Sequence, residues 1–433
     1  MCNFSVNIYS LLHNKEAKNA SWLICGRVVQ MVLSLFVGIL TARYLGPGNY
    51  GLISYAQGFV TFFSAFCNLG LNSVIIKDFI DHPDEQGTAI GSVLLTRAVS
   101  SILSAISIFF IVSIIDSDEP STIFIVVLCS LGLFFNIFET FNYWFQNRYQ
   151  SKISSIATLV SYILTSLYKI VLLVQKKSIF WFAFSTSIDY IFIAIFLYLC
   201  YRKYNGPKLK FSSQKARDLL SVSYNYILSS LMVVLYGQTD KFMLKQMLNE
   251  SEVGFYTIAT GICGVWTFVL KAIIDSMYPS ILRLKGIDQS AYEKKNRLLY
   301  ASVFYISLIV SIFFVIFGGL FIKILYGADY LPAIPVLQVL TWHTIFSYLG
   351  VARDAWIVSE NVQKYLKYMY GCAVILNISV NLLLIPSFGA TGAAIASLIT
   401  QIATSIILPL FIPKMRPNAR LMLDAIFLRN IRD

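Results

Sequence analysis

The sequence predicts an all-α integral membrane protein, with about twelve transmembrane helices in two six-helix lobes arranged as a parallel repeat around a central cavity. Three observations lead there. Hydrophobic residues fill 57% of the 433 positions and charged residues only 13%, about half the usual globular share. The mean hydropathy is +0.69, more apolar surface than a soluble domain could hide. Basic residues alternate along the chain between rich and poor loops, as they do when a chain crosses a bilayer repeatedly.

The spans follow in order. Runs such as 94–115, 124–138 and 298–325 suit a hydrocarbon core that takes about 20 apolar helical residues to cross. Read this way throughout, the chain has crossings near 21–43, 50–74, 89–115, 121–145, 153–175, 178–201, 218–240, 253–281, 298–325, 332–358, 365–386 and 389–413. The first run lacks a small-residue cleavage pattern and reads as an uncleaved anchor. Trp22, Trp144, Trp181 and Tyr201 lie near span ends and fit interfacial belts. Six of the seven cysteines sit in apolar spans without metal-ligand spacing and read as small buried hydrophobes.

The net charge of +12 raises nucleic-acid binding as an idea, and the placement of the charges argues against it. With the N-terminus cytoplasmic, 23 of the 34 Lys and Arg fall on the cytoplasmic side, six on the other and five inside spans. That is the positive-inside pattern. It puts both termini on the cytoplasmic side and supports an even number of spans.

The stretch RKYNGPKLKFSSQKAR, residues 202–217, separates spans six and seven and marks the boundary between an N-terminal lobe, 1–205, and a C-terminal lobe, 206–433. An internal repeat supports the division. LGPGNYGLISYAQG, residues 45–58, aligns with LNESEVGFYTIATG, residues 248–261, at a constant offset of 203, with Leu, Gly, Ala and Gly coinciding. Both segments join the first and second helices of their half. Six spans per half give the halves the same orientation, a parallel repeat whose lobes can rock about a cavity.

Five cations lie inside apolar helices: Arg27, Arg97, Lys169, Lys271 and Arg353. A charge at the bilayer centre costs at least about 2.5–3.5 kcal/mol, so such residues usually face protein or water and often mark a substrate path. A path lined by cations suits an anionic cargo. Four acids share that depth, Glu139, Asp189, Asp275 and Asp354, as ion-coupling groups or as pairing partners. Lys271 and Asp275 stand at i,i+4 and can pair on one face. Asp78 and Asp240 lie near span ends and read as less informative. Polar residues form helical stripes: Arg97, Ser100, Ser104 and Ser107 in span three; Tyr256, Thr260, Thr267, Lys271 and Asp275 in span eight; His343 and Ser347 in span ten. Each stripe should face other helices or water. For its Ser and Thr members, interhelical hydrogen bonding is the plainer reading; for the cations, a water-filled path is.

No Walker A, HExxH or GxSxG motif and no Cys/His cluster occurs in the sequence. The reading is therefore a transporter without catalytic residues, cofactor or metal centre. Energy for active transport would come from an ion gradient or from the cargo's own gradient.

Several segments resemble a known family. ARYLGPGNYGLISYA, residues 42–56, is similar to the first-loop signature of the O-antigen flippases of the Wzx type, in the polysaccharide transporter branch of the multidrug/oligosaccharidyl-lipid/polysaccharide (MOP) exporter superfamily. DKFMLKQMLNESEVGFYTIA (240–259), YGADYLPAIPVLQVL (326–340) and LNISVNLLLIPSFGATGAAIA (376–396) resemble its later blocks. The resemblance implies a place in a bacterial inner membrane and translocation of undecaprenyl-pyrophosphate-linked oligosaccharide repeat units from its cytoplasmic to its periplasmic leaflet by alternating access. The expected partners are that lipid-linked oligosaccharide, membrane lipids, and polysaccharide polymerase and chain-length proteins; nucleic acid is not among them. The alternative is a multidrug or cation exporter of the same superfamily, whose cargo would favour acids over cations in the cavity. A glycan polymerase or ligase would need catalytic groups and a substantial outer loop, which the sequence lacks.

Overall fold

A computed structural model describes residues 15–429, which are helical nearly throughout, with no strand among them. The side chains of Trp22, Cys25 and Arg27 lie outside the described residues. Nine helices among the described residues are long and apolar enough to cross a membrane. Two of the nine, 41 and 49 residues long, exceed one crossing of about 20 residues, and each contains a glycine that breaks the helix. In α1 (Lys15–Asn68) it is Gly46, at φ 71° and followed by Pro47. In the later helix Leu366–Ile402 it is Gly389, at φ 57°. There the chain folds back on itself: a Cβ on Gly392 would stand 2.4 Å from the Leu384 carbonyl oxygen, although eight residues of straight helix span about 12 Å.

Contacts divide the chain into two compact units, Met1–Tyr44 with Ala56–Leu231, and Leu45–Tyr55 with Met232–Asp433. After α1, the first unit holds α2 (Leu71–Asp81), α3 (Gln86–Ile115), α4 (Pro120–Ser130), α5 (Gly132–Asn136), α6 (Thr140–Asn147), α7 (Ser151–Val174) and α8 (Ile179–Lys203). Its core joins α2, α3, α6 and α8 through Ile75, Ile90, Phe141 and Leu197. Trp144 and Tyr201 are not interfacial belt residues. They are buried, with ring centroids 5.0 Å apart, and Arg148 caps the indole at 4.1 Å. Position near a span end misled because these ends pack against a neighbouring helix instead of headgroups. Trp181 is exposed.

The basic linker is docked on the first unit. Gly87 and Gly91, one helical turn apart at the start of α3, leave a groove in which the carbonyls of Lys208 and Lys210 would each meet an added Cβ at 2.3 Å. Lys210 N donates to Gly87 O at 3.2 Å, and Ser212 N donates to Ser92 Oγ at 3.0 Å. Lys215 then pairs with Asp78 at 2.8 Å and Glu85 at 3.0 Å. Burial pulls the Lys215 ammonium down, but hydrogen bonds and charge from the two carboxylates outweigh it and hold the group above the ordinary lysine value.

α9 (Ser213–Met247) leads into the second unit, which continues with α10 (Glu250–Leu284), α11 (Gln289–Leu325), α12 (Ala333–Ala352), α13 (Asp354–Ser359), α14 (Leu366–Ile402), α15 (Leu408–Phe411) and α16 (Arg416–Ile426). α10 starts where the side chain of Asn249 accepts from Glu252 N at 3.2 Å, an N-cap. Glu252 in turn accepts from Ala390 N at 2.6 Å, so one carboxylate caps the second limb of α14 at its positive end. Gly389 must be glycine there: its φ is positive, and a Cβ would collide with that carboxylate at 2.5 Å.

The repeat glycines meet within this unit. A Cβ on Gly51 would lie 1.8 Å from the Glu250 carbonyl oxygen and 2.7 Å from Gly254 N; one on Gly254 would lie 2.3 Å from the Pro47 carbonyl oxygen. The two equivalent helix starts therefore cross with backbone against backbone. Such close approach is what small residues permit in membrane helices.

Candidate functional site

The cations of the sequence analysis sit in different environments. Arg97 on α3 is 1% exposed. It donates to Thr140 Oγ1 and Asn136 Oδ1, both at 2.9 Å, and to Asn68 Oδ1. Its Nε has no partner among the described residues. Glu139 lies within electrostatic reach. The serines of the same stripe bind neighbouring helices: Ser100 donates to Cys67 O, and Ser104 accepts from Cys67 Sγ, each at 3.2 Å. Around Arg97, interhelical hydrogen bonding is thus what this face does. Lys169 on α7 is half-buried and senses Asp189 of α8, which accepts from Thr165 at 3.3 Å.

In the second unit Arg353 is buried and donates to Thr404 O at 3.0 Å. That carbonyl belongs to a π-helical turn, Ala403–Ile407, where the wider winding disturbs the regular ladder. Lys271 and Asp275 pair at 2.8 Å, with both side chains more than half exposed. Asp354 is also exposed and feels both Lys271 and Arg353. Lys271, Asp275 and Asp354 form an open charged cluster on α10 and α13. Arg97 and Lys169 belong to the first unit and Lys271 and Arg353 to the second.

Sequence reasoning passed over the most densely bonded carboxylate. Asp240 on α9 is 4% exposed and accepts four hydrogen bonds: Tyr256 Oη and Ser397 Oγ at 2.5 Å each, Asn381 Nδ2 at 2.7 Å and Asn377 Nδ2 at 3.2 Å. Four donors can satisfy a buried carboxylate without a counter-cation. They come from α10 and both limbs of α14, so Asp240 also ties three segments together. The detectable signal was Asn377 and Asn381 at i,i+4 in an apolar helix, one polar edge of a segment otherwise rich in Leu and Ile.

Tyr256 reaches from this network into a cavity of about 230 Å³. The cavity lies between α10 and α12, and the stripes read from the sequence form its walls: Tyr256, Thr260 and Thr267 on one side, His343, Ser347 and Tyr348 on the other. Thr260 and Thr267 bond their own helix, to Thr257 O and Gly264 O. Among the described residues, no group of three or more His, Cys, Asp or Glu could hold a metal ion. What the arrangement offers is a largely apolar pocket without charged side chains, edged by a few polar groups, with the buried, four-bonded carboxyl of Asp240 behind it and a charged cluster beginning one helical turn beyond Thr267.

An all-helical, multi-pass membrane protein with such polar interiors has the architecture of a carrier. Residues 17–285 match the model of the family described as polysaccharide biosynthesis protein, and the chain belongs to that family. It is 20% identical over 397 residues to the capsular polysaccharide biosynthesis protein CapF of Staphylococcus aureus, covering 89% of this chain and 96% of that one. It is 26% identical over 138 residues, 32% of this chain and 30% of the other, to a Salmonella typhi protein named "Putative O-antigen transporter". In fold it resembles the lipid II flippase MurJ in an inward closed conformation, with a TM-score of 0.74 at 13% identity, covering 94% of this chain and 90% of that one.

Proposed function

We propose that this protein is a flippase that carries undecaprenyl-pyrophosphate-linked O-antigen or related polysaccharide repeat units from the cytoplasmic to the periplasmic leaflet of a bacterial inner membrane. Its two six-helix lobes, 1–205 and 206–433, alternate access. In this reading the chain crosses the membrane twelve times: α1 and the Gln363–Phe411 segment each supply two crossings, α9 one, and the seven remaining candidate spans one each. Both termini are cytoplasmic. The delivered unit passes to polysaccharide polymerase and chain-length proteins.

The observation that carries the reading lies in the second unit, where a cavity lined by uncharged residues adjoins the exposed ammonium of Lys271, which stands with Asp275 and Asp354. A lipid-linked glycan joins an uncharged sugar to an anionic pyrophosphate, and the ammonium of Lys271 is the group of that cluster that can meet the pyrophosphate. Arg27, Arg97, Lys169, Lys271 and Arg353 are proposed to stabilise the anionic path, with Lys271 the exposed one among the four whose side chains are described. Glu139, Asp189, Asp275 and Asp354 balance them. Kinship with the family and the names of its relatives support the cargo class. The test is complementation. A strain lacking its own repeat-unit flippase, given this gene with the matching glycan cluster, should regain surface polysaccharide. Expressed, membrane-inserted protein with no surface polysaccharide, while lipid-linked units accumulate, would oppose the proposal.

A further inference from the structure

We infer that the cavity between α10 and α12 is a binding subsite for one uncharged sugar ring of the cargo, a conclusion that rests on the flippase reading above and assigns its glycan end. The cavity, about 230 Å³, is below the roughly 300–1,000 Å³ of pockets for drug-sized ligands, so it suits a single ring and not an oligosaccharide. Its lining includes no Lys, Arg, Asp or Glu, which disfavours both a pyrophosphate and an organic cation. It does include three side chains with hydrogen-bonding capacity that no described residue takes up: His343, Ser347 and Tyr348. Ser347 and Tyr348 stand four and five residues after His343 on α12, and all three line the same cavity. Between them they can donate and accept, as vicinal sugar hydroxyls require. Leu340 and the tyrosine rings of Tyr256 and Tyr348 provide apolar surface for the C–H face of a pyranose. Tyr256 Oη is already committed to Asp240 at 2.5 Å, which holds that ring in place as a wall.

The test is protection of a thiol placed in the cavity. Thr267→Cys is made in the full-length protein, with Thr260→Cys as a second, independent reporter. Neither loss strands a partner, because both hydroxyls bond carbonyls of their own helix. Alkylation at the new cysteine is followed by peptide mass spectrometry. The probes are methyl glycosides of glucose, galactose, rhamnose and N-acetylglucosamine, with inorganic pyrophosphate and tetraethylammonium as contrasts. At least one glycoside should slow alkylation at both positions, and neither contrast ion should. Adding Ser347→Ala or Tyr348→Phe should raise the glycoside concentration for half-protection by about two- to tenfold each, the worth of one hydrogen bond. Protection by pyrophosphate or tetraethylammonium alone would overturn the inference. So would absence of protection in protein that still translocates lipid-linked glycan, which would leave the flippase reading intact. Glycoside protection in protein that translocates nothing would do the reverse, keeping the pocket and refuting the transport reading.

Discussion

Replacing Gly51 by alanine tests the backbone crossing that joins the two repeat segments. The added methyl would sit 1.8 Å from the Glu250 carbonyl oxygen. Carbon and oxygen settle at about 3.3–3.6 Å, so the two segments must separate by about 1.5 Å or distort. At Gly254 the corresponding approach, 2.3 Å to Pro47 O, asks for about 1 Å. Overpacking of this kind costs about 1–3 kcal/mol, occasionally more. Against it stands the gain from removing a glycine from a helix, roughly 0.5–1 kcal/mol. Gly51→Ala should therefore destabilise by about 1–2 kcal/mol or more, and Gly254→Ala by somewhat less. Gly261, at another matching position of the repeat, has no atom within 4 Å of an added Cβ, so Gly261→Ala should be neutral or mildly stabilising. Thermal unfolding of purified protein in detergent, followed by tryptophan fluorescence, gives the comparison. The expected order of melting temperature is Gly51→Ala, then Gly254→Ala, then wild type, with Gly261→Ala at or above it. The double variant should lose less than the sum, because one displacement relieves both contacts. Gly51→Ala melting with Gly261→Ala would refute the crossing.

Asp240→Ala takes the acceptor from the buried hydroxyls of Tyr256 and Ser397, each loss worth about 1–3 kcal/mol, and leaves the Asn377 and Asn381 amides only their bonds to Ser397 Oγ and Asn377 Oδ1; it should lower the yield of folded protein in size-exclusion chromatography far more than Asp275→Ala, whose side chain is 59% exposed. Arg97→Ala should reduce both thermal stability and surface polysaccharide. Lys271→Ala should reduce surface polysaccharide with little change in melting temperature, since exposed i,i+4 pairs contribute only about 0.3–0.5 kcal/mol; equal thermal losses in the two would contradict the contrast between a buried and an open cation. The docked linker supplies a pH dependence. Because the folded-state value of Lys215 is raised, its contribution is complete below the unfolded lysine value and is lost as pH rises through the higher folded one. Protease resistance of the 202–217 linker should persist through neutral pH and fall only in strongly alkaline buffer. Lys215→Ala should weaken it already at neutral pH.

Local and periodic features were the ones legible in the sequence. The Lys271–Asp275 pair needs only i,i+4 spacing, and the stripes on α10 and α12 need only a 3.6-residue period, so both appear where expected. The matching Gly51 and Gly254 were visible as a repeat, although the steric reason for them, a backbone crossing between segments 203 positions apart, was not. Asp240 escaped for the same reason. Asn377, Asn381 and Ser397 lie 137, 141 and 157 positions away, and nothing local to Asp240 distinguishes it from a solvated helix end. Arg97 reads as a costly cation from its place in an apolar run alone. Its acceptors, Asn68, Asn136 and Thr140, come from other segments, so the interhelical bonds that hold the side chain are not legible in the sequence.

The central claim is tested most directly by purified protein in sealed liposomes that carry a fluorescent undecaprenyl-pyrophosphate oligosaccharide, with a membrane-impermeant reagent reporting which leaflet the glycan occupies. Protein-containing vesicles should expose the inner-leaflet pool to the reagent, protein-free vesicles should leave that whole pool protected, and Lys271→Ala should slow the exposure. A protected fraction that stays the same with and without protein, in vesicles shown to contain folded chain, would contradict the account.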